Sequence, residues 1–308
     1  MKKVSLNYGS QAWVALMGLA FVPLYIRFLG PESYGLIGFF TTASILLHTI
    51  AMGIVPTLTR EMTRLGDESS CDSAVLNLKV TIEILAIVSA VIVSLIFYGL
   101  SEPIAAGWLK PKNIDVVKVV YAIQLMGLII SIRLIEAVYR SCLIGLGKIA
   151  SFAIVSSVMA TVRGVGAIFV LKYTSGDLLA FFVWNLATTI LTMAILKIQV
   201  DKTLKNIDVV PRFSIRSLNG IKSFALGMMI VSVTGSFFTQ VDKFLLSGLM
   251  PLDEYGGFII TANLAAIIFM AVSPLSQAIF PELSRAYFKG DEVEFDRLYT
   301  WSVKLVVL

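Results

Sequence analysis

Charged side chains interrupt several of the long apolar stretches of this chain. Arg133, Glu136 and Arg140 follow one another at spacings of three and four residues, which place them on one face of a helix. Arg163 lies deep inside the next apolar stretch and has no acidic residue within one turn. A charge in hydrocarbon is costly unless it is paired or hydrated. We therefore interpret Arg163 as a candidate lining of a polar cavity, with close helix packing beside Gly164 as the competing account. For Arg133, an ion pair or snorkelling to the membrane interface accounts for a charge in this segment just as well as contact with a ligand does.

Other ionisable residues in apolar stretches have simpler explanations. Lys79 and Glu83 are four residues apart, the spacing of an intrahelical ion pair. Asp242 and Lys243 are adjacent, so their side chains point in different directions and one of them is predicted to turn into a helix bundle. His48 is the only histidine of the chain, and a packed, neutral ring is the expected state for it.

The sequence lacks the motifs of the common catalytic and cofactor sites. There is no Gly-rich phosphate loop with Lys-Ser/Thr, no His-Glu-x-x-His and no Gly-x-Ser-x-Gly. The two cysteines, Cys71 and Cys142, form neither a disulfide framework nor a metal-ligand pattern. We predict no enzymatic activity, no catalytic residue, no cofactor and no metal site.

The composition predicts an all-α, polytopic transmembrane helix bundle. Of the 308 residues, 57% are hydrophobic and only 15% are charged, whereas soluble domains carry about 25% charged residues. About 20 apolar residues are needed to span a bilayer as a helix. Eight segments meet this requirement, and a ninth begins near Leu298: 6–28, 34–58, 78–100, 116–138, 149–171, 178–198, 222–247 and 255–280.

Lysine and arginine in the loops predict the orientation. With the N-terminus in the cytoplasm, most of the basic loop residues lie on the cytoplasmic side, including those of Gln199–Ser217, as the positive-inside rule requires. The loop Ser101–Asp115 is the longest on the other side and is too short for a folded domain. The net charge of +5 therefore reflects cytoplasmic loops and not nucleic-acid binding.

One sequence pattern occurs twice. The motif Leu29-Gly30-Pro31-Glu32-Ser33-Tyr34-Gly35 returns as Leu249-Met250-Pro251-Leu252-Asp253-Glu254-Tyr255-Gly256. In each copy an apolar run follows and ends in Pro-x-x-x-Arg, as Pro56-Thr57-Leu58-Thr59-Arg60 and as Pro281-Glu282-Leu283-Ser284-Arg285. The copies are six predicted helices apart, so both cross the membrane in the same direction, as in a parallel repeat.

The repeat predicts two lobes. We assign 1–198 to a first lobe of six transmembrane helices, 199–221 to a basic cytoplasmic linker and 222–308 to the start of a second lobe. The chain stops inside the apolar run Leu305–Leu308. We therefore expect a C-terminally truncated protein whose second lobe is incomplete.

The repeat motifs resemble those of a known transporter family. The segment Tyr25–Gly35, the helix end Gly53–Arg60, and Val241–Leu246 with Tyr255-Gly256 are similar to the polysaccharide biosynthesis, or O-antigen (Wzx-like), flippases. This family belongs to the multidrug/oligosaccharidyl-lipid/polysaccharide exporter superfamily. Its members have twelve or more helices in two lobes, so the resemblance covers nearly all of this chain but only about two thirds of a family member.

The resemblance implies a flippase that moves an undecaprenyl-diphosphate-linked oligosaccharide across the bacterial inner membrane, for O-antigen, capsule or exopolysaccharide synthesis. The implied partners are this lipid-linked oligosaccharide, membrane lipids and other polysaccharide assembly proteins. Arginine can bind a diphosphate through bidentate hydrogen bonds. The candidate substrate-binding residues are the basic side chains Arg27, Arg133, Arg163 and Lys243.

Two other functions fit parts of the sequence. A cation-coupled multidrug exporter of the same superfamily would have the same fold, but it would favour carboxylates in the membrane, whereas Arg163 is the deepest charge here. A membrane enzyme of polysaccharide assembly would need catalytic residues on a sizeable loop, and the predicted loops are short. The sequence therefore favours an anionic substrate.

Overall fold

The computed structural model describes residues 2–51, 53–64, 72–204, 212–214, 218, 222–266 and 292–307. The regular elements within these ranges are helices, which confirms the predicted all-α class. They are α1 (Lys2–Ala20), α2 (Val22–Ala51), α3 (Ile54–Arg64), α4 (Asp72–Pro103), α5 (Val116–Gly145), α6 (Ile149–Tyr173), α7 (Leu178–Leu204), α8 (Lys222–Leu249), α9 (252–266) and α10 (Glu292–Val307).

The first two predicted spans are bent at residues that cannot continue a regular helix. The axis turns by 44° between α1 and α2, just before Pro23, which has no N–H to donate to the preceding turn. Gly30 then interrupts α2 with φ +80° and ψ 168°, a conformation in the left-handed half of the map that glycine adopts without strain. The helix is kinked there, and Pro31 starts its remaining part, which ends before Gly53.

The described residues contain fewer apolar spans than the eight predicted. Four helical segments are long and apolar enough to cross a membrane, Val75–Leu109, Val116–Gly145, Ile149–Tyr173 and Leu178–Leu204, and the bent pair of α1 and α2 adds a fifth when it is counted as one span. The helix α8 covers the predicted span 222–247 but carries a stripe of polar residues. Residues 267–280 of the last predicted span, together with Pro274 and Pro281, lie outside the described part.

Two predicted loops are partly helical. The segment Ser101–Asp115 continues α4 to Pro103 and then forms a π-helical turn at Ile104–Leu109, so only residues 110–115 remain as a loop. The basic linker is also shortened because α7 runs to Leu204. Residues 212–214 lie against α4, where the backbone N–H of Ser214 donates to Thr81 Oγ1 at 3.0 Å. This linker segment is therefore held on the first predicted lobe.

The helix α5 is central to the first six predicted spans and contacts α2, α3, α4, α6 and α7. Its first turn is capped by Asp115, whose carboxylate accepts the N–H of Val117 at 3.0 Å. Apolar residues of α3, α4, α5 and α7 form a buried cluster around its C-terminal half. The cluster consists of Leu58, Met62, Val75, Leu78, Ile82, Val138, Tyr139, Cys142, Leu143, Leu196 and Val200.

Residues 1–259 form one compact unit, and 260–308 form a second. In the first unit, α2 packs along α8 in the opposite direction, since Thr49 contacts Ser236 and Gly53 contacts Ala225. We call the end of the bundle with residues 110–115 the loop end, and the end with Leu204 and Lys222 the linker end. In the second unit, α10 carries an Arg297–Glu294 ion pair at 3.4 Å.

Candidate substrate cavity

A cavity of about 670 Å³ lies between α8 and the first predicted lobe. Its walls come from α2, α5, α6 and α8, which the chain supplies from distant parts of the sequence. The lining residues are Thr41, Ser44, Ile45, His48, Thr49, Ile130, Arg133, Leu134, Glu136, Ala137, Arg140, Arg163, Ser232, Gly235, Ser236 and Thr239. Three arginines and one glutamate make it basic, and the α8 wall is made of small and hydroxyl residues.

The charged face predicted on α5 lines this cavity. Arg133, Glu136 and Arg140 all border it, as their helical spacing requires. The Arg133 guanidinium carbon lies 5.2 Å from the ring centroid of Phe40, within the range of a cation–π contact. In the described part of the chain, Arg133 forms no ion pair within 4 Å. Its donors can therefore turn to a ligand.

Arg163 reaches the same cavity from α6. Its Nε donates a long hydrogen bond of 3.4 Å to Thr188 Oγ1, and Trp184 Nε1 donates to the Arg163 carbonyl oxygen at 3.1 Å. The neighbouring Gly164 packs against the ring of Phe21. Close helix packing and a cavity-lining arginine therefore occur together, although the sequence presented them as alternatives.

His48 and Arg140 form a second polar contact in the cavity wall. The Arg140 Nη2 atom lies 2.9 Å from His48 Nε2, so the histidine has a polar partner that its sequence neighbours do not indicate. One turn earlier on α2, Ser44 is 7% exposed, and its hydroxyl has no hydrogen-bond partner within the described residues. A buried hydroxyl without a partner is unfavourable unless a ligand or water reaches it.

The other two predicted site residues lie outside the cavity lining. Lys243 is one turn beyond Thr239 on α8, towards the loop end, and is not among the lining residues. Arg27 is exposed at the loop end of α2, next to Phe28, whose carbonyl oxygen contacts Gly176 in the turn between α6 and α7. The structure thus brings Arg133 and Arg163 together, with Lys243 nearby and Arg27 apart.

The two copies of the sequence repeat both contact the 110–115 loop at the loop end. Glu32, from the first copy, accepts the backbone N–H groups of Lys112 and Asn113 in the 110–115 loop. Asp253, from the second copy, lies 3.3 Å from the ammonium group of the same Lys112. Corresponding acidic residues of the repeat therefore hold one loop between them.

Sequence reasoning missed part of the cavity. A packed, neutral His48 was expected from its apolar neighbours, and no sequence signal paired it with Arg140. The serine and threonine stripe of α8 could have been found, because Ser232, Ser236 and Thr239 recur at helical spacing. Among the described residues, no group of histidine, cysteine, aspartate and glutamate could hold a metal ion.

Comparison with known proteins identifies the family. Residues 1–287 match the family of polysaccharide biosynthesis proteins. No curated protein sequence matches the chain. The fold is similar to that of a multidrug resistance MATE family transporter of the MOP superfamily in an inward-facing conformation, with a TM-score of 0.73 and 15% identity. This similarity covers 95% of the present chain and 67% of the transporter.

The family match extends over most of the chain and includes both copies of the repeat, which confirms the resemblance inferred from those motifs. The apolar helices and the shared fold indicate a protein that crosses the membrane several times. The chain is therefore a multi-pass membrane protein with the fold of the MOP superfamily, and it belongs to the family of polysaccharide biosynthesis proteins.

Proposed function

We propose that this chain is a flippase for an undecaprenyl-diphosphate-linked oligosaccharide. It would move the head group from the cytoplasmic to the outer leaflet of a bacterial inner membrane, with the N-terminus of the chain in the cytoplasm. The observation that carries the proposal is the basic cavity, in which Arg133, Arg140 and Arg163 converge from two helices of the first predicted lobe and face α8.

The chemistry of the cavity suits this substrate. A diphosphate diester carries two negative charges and does not enter hydrocarbon unaided, because its hydration is lost there. Guanidinium groups replace that hydration with paired hydrogen bonds. The hydroxyls of Ser232, Ser236 and Thr239 on the facing helix can bond to sugar hydroxyls. Rocking of the two predicted lobes about such a site would expose it alternately to each side of the membrane.

Export of cationic drugs is the second candidate, because the fold is shared with a multidrug resistance transporter. The charge of the cavity argues against it. Glu136 is the one carboxylate among the lining residues, and three arginines share the space with it. A cation would therefore meet net repulsion, whereas a diphosphate would meet net attraction.

Complementation tests the proposal. The chain, and in parallel a longer relative with matching residues, would be expressed in a bacterium that lacks its own flippase, and surface polysaccharide would be measured. We expect Arg163→Ala to abolish export and Arg163→Lys to restore part of it, since lysine lacks the bidentate fork. Lys172→Ala is the matched control, because Lys172 is an exposed cation on the same helix, α6, outside the cavity.

A binding measurement separates transport from recognition. The purified chain in detergent should bind a short-chain prenyl-diphosphate-linked N-acetylglucosamine, and Arg163→Ala should weaken this binding at least ten-fold. Full export by the Arg163→Ala protein would contradict the proposal. Tighter binding of a lipophilic cation such as ethidium than of the diphosphate would favour the drug exporter instead.

A further inference from the structure

The contact between Arg140 and His48 defines the protonation state of the histidine. The guanidinium group has only donors, so at 2.9 Å from Arg140 Nη2 the His48 Nε2 atom must be the acceptor. The ring is then neutral and carries its proton on Nδ1. Protonation of Nε2 would break this bond and place a second cation beside Arg140.

The surroundings of His48 favour protonation only when an anion is present. The charged groups that line the cavity with it are Arg133, Glu136 and Arg140 on α5 and Arg163 on α6. The α2 and α8 walls contribute no other titratable lining residue within the described part of the chain. An imidazolium would therefore be repelled by three arginines against one carboxylate. A bound oxyanion would reverse this balance, because it attracts both the imidazolium and the arginines.

A third group next to this pair can bind an oxyanion. Ser44 and His48 are one helical turn apart on α2, so they lie on the same face. The Ser44 hydroxyl lines the cavity, is buried and has no hydrogen-bond partner in the described part of the chain. It can donate to an anion that also contacts His48 and Arg140.

We propose that Ser44, His48 and Arg140 form a proton-linked oxyanion site, in which binding of the anion is coupled to uptake of one proton by His48. The anion accepts hydrogen bonds from Arg140 and Ser44 and replaces His48 as the partner of Arg140. The released Nε2 takes up a proton from the bulk solution, and the imidazolium then donates to the anion. This inference rests on the proposed function and adds to it that the diphosphate binds together with a proton.

The test is the pH dependence of diphosphate binding. The probe is the short-chain prenyl-diphosphate-linked N-acetylglucosamine, whose diester phosphates do not titrate between pH 5.5 and 8.5. Its Kd for the purified chain in detergent should rise with pH by up to about ten-fold per unit, the slope of a single linked proton. Calorimetry in buffers of different ionisation enthalpy should show uptake of a proton. His48 is the only histidine, so no other imidazole contributes.

Two variants separate proton linkage from binding. His48→Gln should bind the probe with an affinity that is independent of pH, because an amide does not titrate in this range. Ser44→Ala should lose several-fold in affinity at every pH but keep the slope. Sulfate, an oxyanion that does not titrate here, should compete with the probe.

Three results would overturn the inference. Wild-type binding that is tight but independent of pH would refute the role of His48 and leave the proposed flippase function intact. Binding that sulfate does not weaken would place the anion elsewhere. Absence of binding at every pH would count against both the oxyanion site and the proposed function. If His48→Gln does not fold, proton uptake measured on the wild-type chain decides the question.

Discussion

Gly35 and Gly256 pack against each other backbone to backbone. A Cβ atom built on either glycine would lie 3.2 Å from the backbone nitrogen of the other. It would also collide with a carbonyl oxygen, that of Leu252 for Gly35 and that of Pro31 for Gly256. Pro31 and Gly35 correspond to Leu252 and Gly256 at a constant offset in the repeat, so the contact is reciprocal, as in a two-fold symmetric interface. The two copies of the repeat thus meet each other directly at the loop end.

This contact predicts that alanine is not tolerated at Gly256. The added methyl group must push the Pro31 carbonyl away, and overpacking of this kind costs about 1–3 kcal/mol. Gly257→Ala is the matched control, because a Cβ at Gly257 meets nothing within 4 Å and alanine favours a helix over glycine by about 1 kcal/mol. Thermal unfolding in detergent should show a lower Tm for Gly256→Ala and an equal or higher Tm for Gly257→Ala. Equal Tm values for the two variants would show that the glycine contact is not tightly packed.

The two acidic residues of the repeat should differ in importance. The buried carboxylate of Glu32 accepts backbone N–H groups of Lys112 and Asn113. Glu32→Gln places an amide NH₂ against these donors, and a buried group left without its partner costs about 1–3 kcal/mol. Asp253 reaches an exposed lysine, and exposed ion pairs contribute little. We expect a lower Tm for Glu32→Gln than for Asp253→Asn, and the reverse order would refute this account of the loop end.

The pH dependence of this loop-end contact follows from Asp253. Desolvation acts to raise the pKa of Asp253, but hydrogen bonds from Lys112 and from the Glu254 backbone outweigh it, so the pKa lies below its usual value. A group with a lowered folded-state pKa stabilises the protein above its unfolded pKa and loses this contribution as the pH falls through the folded value. The Tm difference between wild type and Asp253→Asn should therefore be constant near neutral pH and disappear in acid. A difference that persisted at low pH would contradict the ion pair.

Much of the helical fold could be predicted from the sequence, because apolar segments of sufficient length define spans and helical spacing defines faces. The common face of Arg133, Glu136 and Arg140 is such a case. Helical spacing does not show which other helix a given face packs against. Nothing in the sequence packs α2 against α5 or α8, so neither the cavity wall opposite Arg163 nor the contact between His48 and Arg140 could be predicted. The π-helical turn at Ile104–Leu109 likewise occupies part of a predicted loop, and no local sequence pattern indicates it.

The pair of Lys79 and Glu83 shows how a local prediction can be correct and incomplete. Their side chains form the expected intrahelical ion pair at 2.9 Å. Two other helices complete the network, since Tyr139 donates to Glu83 Oε1 at 2.6 Å and Asp201 lies 3.8 Å from the lysine. The network joins α4, α5 and α7 at the linker end and is separate from the cavity.

Tyr139→Phe should accordingly destabilise the fold without changing substrate binding. The lost hydrogen bond has a charged acceptor, and such bonds contribute about 1.5–3 kcal/mol. Tyr173→Phe is the control, because Tyr173 is 85% exposed. The measurement is the Tm in detergent together with the Kd of the diphosphate probe. A loss of affinity in Tyr139→Phe protein that remains folded would mean that this network communicates with the cavity.

The orientation of the bundle gives a prediction that does not depend on the substrate. Lys202 lies at the linker end of α7 and Lys172 at the loop end of α6, and both are exposed. Basic residues are retained on the cytoplasmic side during insertion, and the linker between α7 and α8 is rich in them. In a variant that lacks Cys71 and Cys142, an impermeant thiol reagent added to intact cells should label Lys172→Cys and not Lys202→Cys. Both variants should react after the membrane is permeabilised. Labelling of Lys202→Cys in intact cells would invert the orientation, and the diphosphate would then have to enter the cavity from the opposite side.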